Sequence, residues 1–234
     1  MVNFKKLRQM IEIKGNGNIV SREINVSTFI RLHLACLGNI ELYIGEEEKV
    51  IIETDENLQD FFSANNAGRT LYVAMNAKFK KPLFTSATVK VFIRQLDVLY
   101  LGNVGNLDWP GEIVLARPLE IKVYSNGSTA LNVSAPSIKI TNQSNGNLVL
   151  KGNCEKMEIK HAANGHFDSS QMNVADLSIK HTANGNAIVR AEKTIRITHK
   201  GNGYIHYYGN AAVEDVQQYG NGELKHMKGE PSVA

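Results

Sequence analysis

The sequence predicts an all-β protein, a flattened parallel β-helix with rungs of about 19 residues that turn at Asn-Gly pairs. Three observations carry this expectation. Asn-Gly recurs at Asn126-Gly127, Asn145-Gly146, Asn164-Gly165, Asn184-Gly185, Asn202-Gly203 and Asn221-Gly222, with glycine spacings of 19, 19, 20, 18 and 19. Apolar residues fall in columns at fixed offsets from each glycine, two residues apart, as in strands with one buried face. A small residue precedes every one of these asparagines: Ser125, Ser144, Ala163, Ala183, Gly201 and Gly220.

Along the chain, the first eighteen residues, MVNFKKLRQMIEIKGNGN, carry basic residues without a following apolar stretch, so they do not read as a signal peptide. An isolated Asn16-Gly17 foreshadows the repeat, and looser relatives stand at Gly38-Asn39, Gly102-Asn103 and Gly105-Asn106. Residues 1–100 alternate less regularly. Ile40, Leu42 and Ile44, Val50 to Ile52, Leu71 to Val73, Val89, Val91 and Ile93, and Val98 with Tyr100 read as strands that begin the same sheet system. Asp55–Phe62 is the one short helix expected, with Asp55 as its cap.

Residues 101–228 hold the regular repeats, and 229–234 form a frayed tail. Nothing resembles a linker, so the expectation is a single β-helix domain over 1–234. Six residues before each glycine stand Ile121, Ile140, Ile159, Ile179, Ile197 and Val216. Eight before stand Leu119, Ile138, Met157, Leu177, Ile195 and then Glu214. Two after stand Thr129, Leu148, Phe167, Ala187, Ile205 and Leu224. Asn-Gly between alternating strands is ordinarily a hairpin signal, which would give an antiparallel meander. The recurrence of the same side chains at the same offset suits parallel stacking instead. About 19 residues leave room for two strands of five to seven residues and two turns. Asn and Gly both tolerate the left-handed backbone region that such a corner is expected to use.

These residues bring the chain to a known family. The serial turns Gly15-Asn16-Gly17-Asn18-Ile19 and Gly201-Asn202-Gly203-Tyr204-Ile205, the segment Val50-Ile51-Ile52-Glu53-Thr54-Asp55-Glu56-Asn57-Leu58 and the run Ile205-His206-Tyr207-Tyr208-Gly209-Asn210 resemble the DUF2807 family. This is the auto-transporter adhesin head GIN domain found widely in Bacteroidetes, and the resemblance spans about Gly15 to Lys228. It implies a right-handed β-helix related in shape to pectin-lyase-like folds, a role in cell adhesion and no established catalytic residues. Family members are typically exported, often as lipoproteins, which points to the cell envelope.

Composition narrows the function. Twenty-six Lys and Arg against 23 Asp and Glu leave a net charge of +3, and no Lys/Arg run has the density of a nucleic-acid binder. No apolar stretch approaches a membrane span. Cys36 and Cys154 are too few for a cysteine metal site; one disulfide is conceivable, and two buried thiols are the better reading. No cofactor is expected: Gly15-x-Gly17 lacks a dinucleotide context, and the hexapeptide and calcium-binding glycine repeats are absent. Asp168, Asp176 and Glu192 sit at different offsets without companions, so no carboxylate pair for glycoside chemistry is assembled.

Four residues before the glycine stand Val123, Asn142, His161, His181, His199 and Gln218. Rungs ~4.8 Å apart bring His161, His181 and His199 close enough to share a metal ion. The column has the parity of the buried isoleucines, however. It reads better as a polar ladder in which ring nitrogens bond one another and the turn backbone. Lys122, Lys160 and Lys180, five before the glycine, make a mildly basic stripe for a binding face. The column at minus seven (Glu120, Lys139, Glu158, Ser178, Arg196 and Asp215) alternates in sign, as stacked rungs would favour. The expected function is a non-enzymatic, adhesin-like binding protein for a protein or glycan ligand, open to homo-oligomerisation. A carbohydrate-active β-helix enzyme and a cytoplasmic scaffold are the alternatives.

Overall fold

A computed structural model describes residues 11–76, 80–102, 105–108 and 111–231. Nine strands stack in parallel into one long sheet. In spatial order they are Thr70–Met75, Arg31–Ala35, Val98–Gly102 and Leu119–Tyr124, then the C-terminal parts of Thr129–Asn142, Leu148–His161 and Phe167–His181, then Thr194–His199 and Ala212–Gln218. The register sets Leu71, Leu32, Leu99, Ile121, Ile140, Ile159, Ile179, Ile197 and Val216 in one row. Ile121 to Ile197 are at most 1% exposed. A second parallel sheet faces the first. It aligns Val89, Ile40, Leu107, Thr129, Leu148, Phe167, Ala187, Ile205 and Leu224. The two inward rows meet in a continuous apolar core, and the fold is a β-solenoid.

Three features differ from the sequence expectation. In the central rungs the two strands fuse into single strands of 14, 14 and 15 residues. Besides the Asn-Gly corner, the ladder is interrupted only locally within these strands, as at the register shift between Val149 and Lys151. The column at minus eight does not end in Glu214. A register shift after Ile195 pairs Ile195 with Val213 and Arg196 with Asp215. Val213 thus completes the apolar row, and Glu214 is bulged toward Arg196, with which it forms an ion pair. Residues 1–100 are more than irregular rungs. Lys49–Asp55 runs antiparallel to both Ile19–Asn25 and Ala87–Ile93, and Phe62–Ala67 runs antiparallel to Thr70–Met75.

Those antiparallel strands cap the N-terminal end of the solenoid and cover the outermost strand of each sheet. A stack of identical rungs requires such an end because its last strands otherwise present unpaired backbone. The far end is closed differently. Ala212–Gln218 is exposed at every position, with Val213 and Val216 49% and 43% exposed. Antiparallel self-pairing about its centre would set Asp215 beside its own copy. The bulge and these acids guard an edge that no strand covers among the described residues.

Asp55 precedes a 3₁₀ turn, Glu56–Phe61, but its side chain makes no cap. The buried carboxylate accepts the backbone N–H groups of Gly17 and Thr85, each at 2.8 Å. Burial works to raise its pKa, and the backbone hydrogen bonds outweigh that and hold it below the usual carboxylate range. Cys36 and Cys154 are separate buried thiols, each pushed up to about 12 by burial. Asn103 and the residues flanking the described segments, including 1–10 and 232–234 of the tail, lie outside the described residues. Glu230, expected in a frayed tail, is held by Arg190 Nη1 at 2.5 Å and Nη2 at 3.3 Å.

Candidate functional site

The Asn-Gly corner is the first place where sequence reasoning and geometry part. Gly146, Gly165, Gly185, Gly203 and Gly222 are not in the left-handed region. Through the corner the burial alternation continues: Ser144 buried, Asn145 exposed, Gly146 buried, Asn147 exposed, Leu148 buried. The backbone stays open and bonds across rungs, with Asn145 N–H donating to Ser125 O at 3.0 Å, Asn164 to Ser144 O at 3.1 Å and Asn202 to Ala183 O at 3.1 Å. Glycine is required by contact, not by dihedral. A Cβ on Gly165 would lie 2.5 Å from the carbonyl carbon of Gly146, and closer still to its oxygen. Gly146 over Gly127, Gly203 over Gly185 and Gly222 over Gly203 repeat the arrangement.

The asparagines form an exposed amide ladder. Asn145 donates to Asn126 at 2.7 Å, Asn164 to Asn145 at 3.0 Å, Asn184 to Asn164 at 3.3 Å and Asn202 to Asn184 at 3.1 Å. Asn145, Asn164 and Asn184 each both donate and accept, so the chain of amides is mutually reinforcing. Asn221 makes no such bond among the described residues.

Under this corner lies the histidine column. His161, His181 and His199 are fully buried, with ring centroids 5.1 Å and 4.9 Å apart. His181 Nε2 donates to Gly185 O and His199 Nε2 to Gly203 O, both at 2.8 Å, and Gln218 Nε2 repeats the bond to Gly222 O at 3.0 Å. In the last three rungs the polar side chain at this offset therefore caps the carbonyl of its own corner glycine, and His161 makes no such bond. Ring nitrogens do not bond one another as expected: His161 Nε2, His181 Nδ1 and His199 Nδ1 lack partners. His161 Nδ1 instead accepts from Asn142 at 3.2 Å. Burial lowers the pKa of His161 to about 3, helped by repulsion from His181 and His166. Burial likewise takes His181 to about 4 against the pull of the Gly185 carbonyl. Toward the N-terminal end the same column is aliphatic: Val73, Leu34, Leu101 and Val123. Among the described residues, no three His, Cys, Asp or Glu are grouped to hold a metal ion.

The lysine stripe lies on the outer face of the nine-stranded sheet. Lys122 pairs with Glu120 at 3.0 Å, and Lys160 with Glu158 at 3.9 Å. Only Lys180 is without an ion pair among the described residues. The stripe is thus less basic than its sequence. Lys139 and Glu158 make the expected contact between rungs, at 4.0 Å. Sequence columns anchored on glycine missed the row's continuation into Tyr100, His33 and Tyr72. His33 sits 4.0 Å from Tyr100 and 5.2 Å from Tyr72, and Tyr124 stacks on Tyr100 at 5.3 Å.

A further site has no counterpart in the sequence reading. One residue after the glycine stand Asn147, His166, Asn186 and Tyr204. Each rung's backbone N–H donates to the side chain of the rung before: His166 to Asn147 Oδ1 at 3.0 Å, Asn186 to His166 Nδ1 at 3.0 Å, Tyr204 to Asn186 Oδ1 at 3.1 Å. Three residues after the glycine stand Val149, Asp168, Ile188 and His206, in register. Between the rows, on the outer face of the second sheet, runs a cleft of about 250 Å³. The Tyr204 ring stacks on His206 at 4.1 Å and 21°, and His206 Nε2 in turn donates to Glu223 at 3.0 Å. Asp168, which had no companion in the sequence, lines this cleft together with His166 and the two asparagines. Asp176 and Glu192 are engaged elsewhere, by Thr194 at 2.7 Å and Arg190 at 2.6 Å.

Solved structures share this architecture. A "putative adhesin" from Bacteroides fragilis superposes with a TM-score of 0.83 at 17% identity, over 92% of this chain and 100% of its own. A "putative lipid binding protein" from Parabacteroides distasonis gives 0.73 at 17% over 93% and 100%. A "putative adhesin" from the same species gives 0.69 at 23% over 92% and 100%. At these identities the likeness is one of fold. No curated protein matches the sequence. The family model described as "Putative auto-transporter adhesin, head GIN domain" matches residues 28–211, most of the solenoid described above, and the chain belongs to that family, DUF2807.

Proposed function

We propose that the protein is a non-catalytic binding module of the adhesin kind, which presents the outward rows of its solenoid to a glycan or protein ligand. The observation that carries this reading is the registered outer surface. Side chains of the same offset recur on successive rungs, so one rung's recognition groups are repeated along a rigid face. The chemistry of the interior supports it. Several groups whose ionisation is displaced are occupied in holding the fold. His181 caps Gly185, Asp55 ties Gly17 to Thr85, and Arg190 clamps Glu192 and Glu230. The two carboxylates that do meet, Glu192 and Glu230, are both bound to the Arg190 guanidinium, so neither stands free as the acid or nucleophile that hydrolysis at a glycosidic bond requires. The family description and the names of two of the three similar structures point the same way, the third being named for lipid binding.

The test is binding of the full chain to immobilised polysaccharides and cell-envelope proteins, with analysis of the soluble phase. Retention without new products is the expected result. Release of shortened saccharides would establish an enzyme in place of a binding module.

A further inference from the structure

We propose that the cleft between the Asn147–Tyr204 row and the Val149–His206 row is a subsite for a single neutral pyranose ring, an inference that rests on the binding function above. The volume, about 250 Å³, is below the range of drug-sized ligand pockets and suits one sugar ring. Its chemistry is mixed in the way a pyranose demands. A sugar ring offers an apolar face of C–H groups and a rim of hydroxyls that both donate and accept.

Tyr204 supplies an aromatic surface for the C–H face, and its position is fixed before any ligand arrives. Its ring is stacked on His206, and its backbone N–H is tied to Asn186. Val149 and Ile188 add aliphatic lining. The rim groups are also pre-set. Asn147 and Asn186 spend their Oδ1 atoms on the backbone of the next rung. Each therefore retains an amide NH₂ that has no partner among the described residues. His166 Nδ1 accepts the Asn186 N–H, so the neutral ring carries its proton on Nε2 and can donate there. Asp168 accepts Ser170 N–H with Oδ1 at 2.8 Å, which leaves Oδ2 to accept from hydroxyls. Three donors and one strong acceptor thus surround an apolar surface, and they are held by a ladder that spans four rungs. Holding them so reduces the ordering cost of binding.

Charge selects within the sugars. Asp168 lines the cleft and no Lys or Arg does. A uronic acid or a sulfated ring would bring an anion beside a carboxylate with nothing to neutralise either. Two larger hollows lack this combination. One of about 420 Å³ is edged by the Arg190–Glu230 pair, and one of about 470 Å³ by the ion-paired Asp97, Glu120, Lys139 and Glu158 and by Lys156; no aromatic side chain lines either.

The test is saturation-transfer NMR on the full chain. The probes are the methyl β-pyranosides of glucose, galactose and N-acetylglucosamine, with methyl β-glucuronide as the anionic comparator. At least one neutral probe should receive saturation and the glucuronide should not. Tyr204→Ala should weaken the neutral probe about tenfold or more. Tyr204→Phe should retain binding, and Asp168→Asn should weaken the neutral probe while admitting the glucuronide. Tyr72→Ala, on the opposite sheet, should change nothing. Thermal unfolding of each variant establishes that it is folded, and Asp168→Asn, a surface change, serves if Tyr204→Ala is not. Absence of saturation on every neutral probe overturns the subsite. So does binding that survives both Tyr204→Ala and Asp168→Asn. If polysaccharide retention persists in those variants, the proposed function stands and only its location in the cleft falls.

Discussion

Replacing Gly165 by alanine adds one methyl group at a corner where the neighbouring rung leaves no room for it. The new Cβ would sit 2.5 Å from the Gly146 carbonyl carbon and 2.9 Å from Asn145 O. Both are backbone atoms, so no side chain can swing aside, and the rungs must separate locally. Overpacking of this sort costs about 1–3 kcal/mol, more where the backbone itself must move. Separation also loosens the Asn164 N–H to Ser144 O bond at 3.1 Å and the Asn164–Asn145 amide bond at 3.0 Å, each worth about 1 kcal/mol. Gly165→Ala should therefore destabilise by about 3–5 kcal/mol. Two comparisons separate this account from one based on backbone conformation. Gly17 has φ +77° but open space around its would-be Cβ, so Gly17→Ala should cost only the left-handed strain of about 1–2 kcal/mol. Lys160→Ala, on the outer face, should stay within about 0.5 kcal/mol. At about 2–4 °C per kcal/mol for a chain of this size, calorimetric melting ranks the three variants clearly. Hydrogen exchange should show the loss centred on residues 142–167. If Gly17→Ala melts lower than Gly165→Ala, the steric argument is wrong.

Ile159 is 1% exposed between Ile140 and Ile179, so Ile159→Ala should cost about 2–5 kcal/mol in denaturant unfolding. A loss below about 1 kcal/mol would place it outside the core row. The histidines give a pH signature. His161 and His181 titrate at about 3 and about 4 when folded and at about 6.5 when unfolded. The unfolded chain therefore takes up protons that the folded chain refuses. Stability should be intact above pH ~6.5 and fall below it by about 1.4 kcal/mol per pH unit for each histidine, down to about pH 4. His181→Gln should keep the cap on Gly185, as Gln218 caps Gly222, and should flatten that slope. An unchanged slope would mean that another group carries it. EDTA should leave the melting temperature of the wild type unchanged; a fall that zinc restores would make the column a metal site. Glu230→Ala should speed amide exchange of Met227 to Glu230 while leaving the exchange of the central rungs as it was. Equal exchange of that segment in both proteins would show that Arg190 does not hold the tail.

The repeat made the solenoid legible because a parallel stack writes its register directly into the sequence. Ile121, Ile140, Ile159, Ile179 and Ile197 are hydrogen-bonded neighbours in space and lie 18 to 20 residues apart in the chain. The N-terminal cap was not legible for the same reason. Its antiparallel strands pair Ile24 with Val50 and Val50 with Val91, so no fixed offset connects them. Glu214 shows how one inserted residue hides a match. Counting from Gly222 picks the bulged glutamate, and the residue that enters the apolar row is Val213.

The corners carry the sharper lesson, because there the right residues were chosen for the wrong physical cause. Asn-Gly is a local signal for a left-handed turn, and a local rule cannot register that the forbidding atom belongs to the preceding rung. Of the glycines that do adopt positive φ, Gly17 follows Asn16, where the local rule holds, while Gly38, Gly152 and Gly209 lie outside the repeated Asn-Gly series. The cleft was hidden by a related limit. Its members occupy two offsets with different residue types on each rung: Asn147, His166, Asn186 and Tyr204 in one row, Val149, Asp168, Ile188 and His206 in the other. A column search rewards sameness, as among the isoleucines, where the requirement is to fill a core. A ligand needs different groups around it, and in a solenoid those come from successive rungs at one offset. Sites in such a fold should therefore be sought where a column loses its uniformity while its backbone register holds. Asp168, discounted for having no like companion at its own offset, is a residue to which that criterion points.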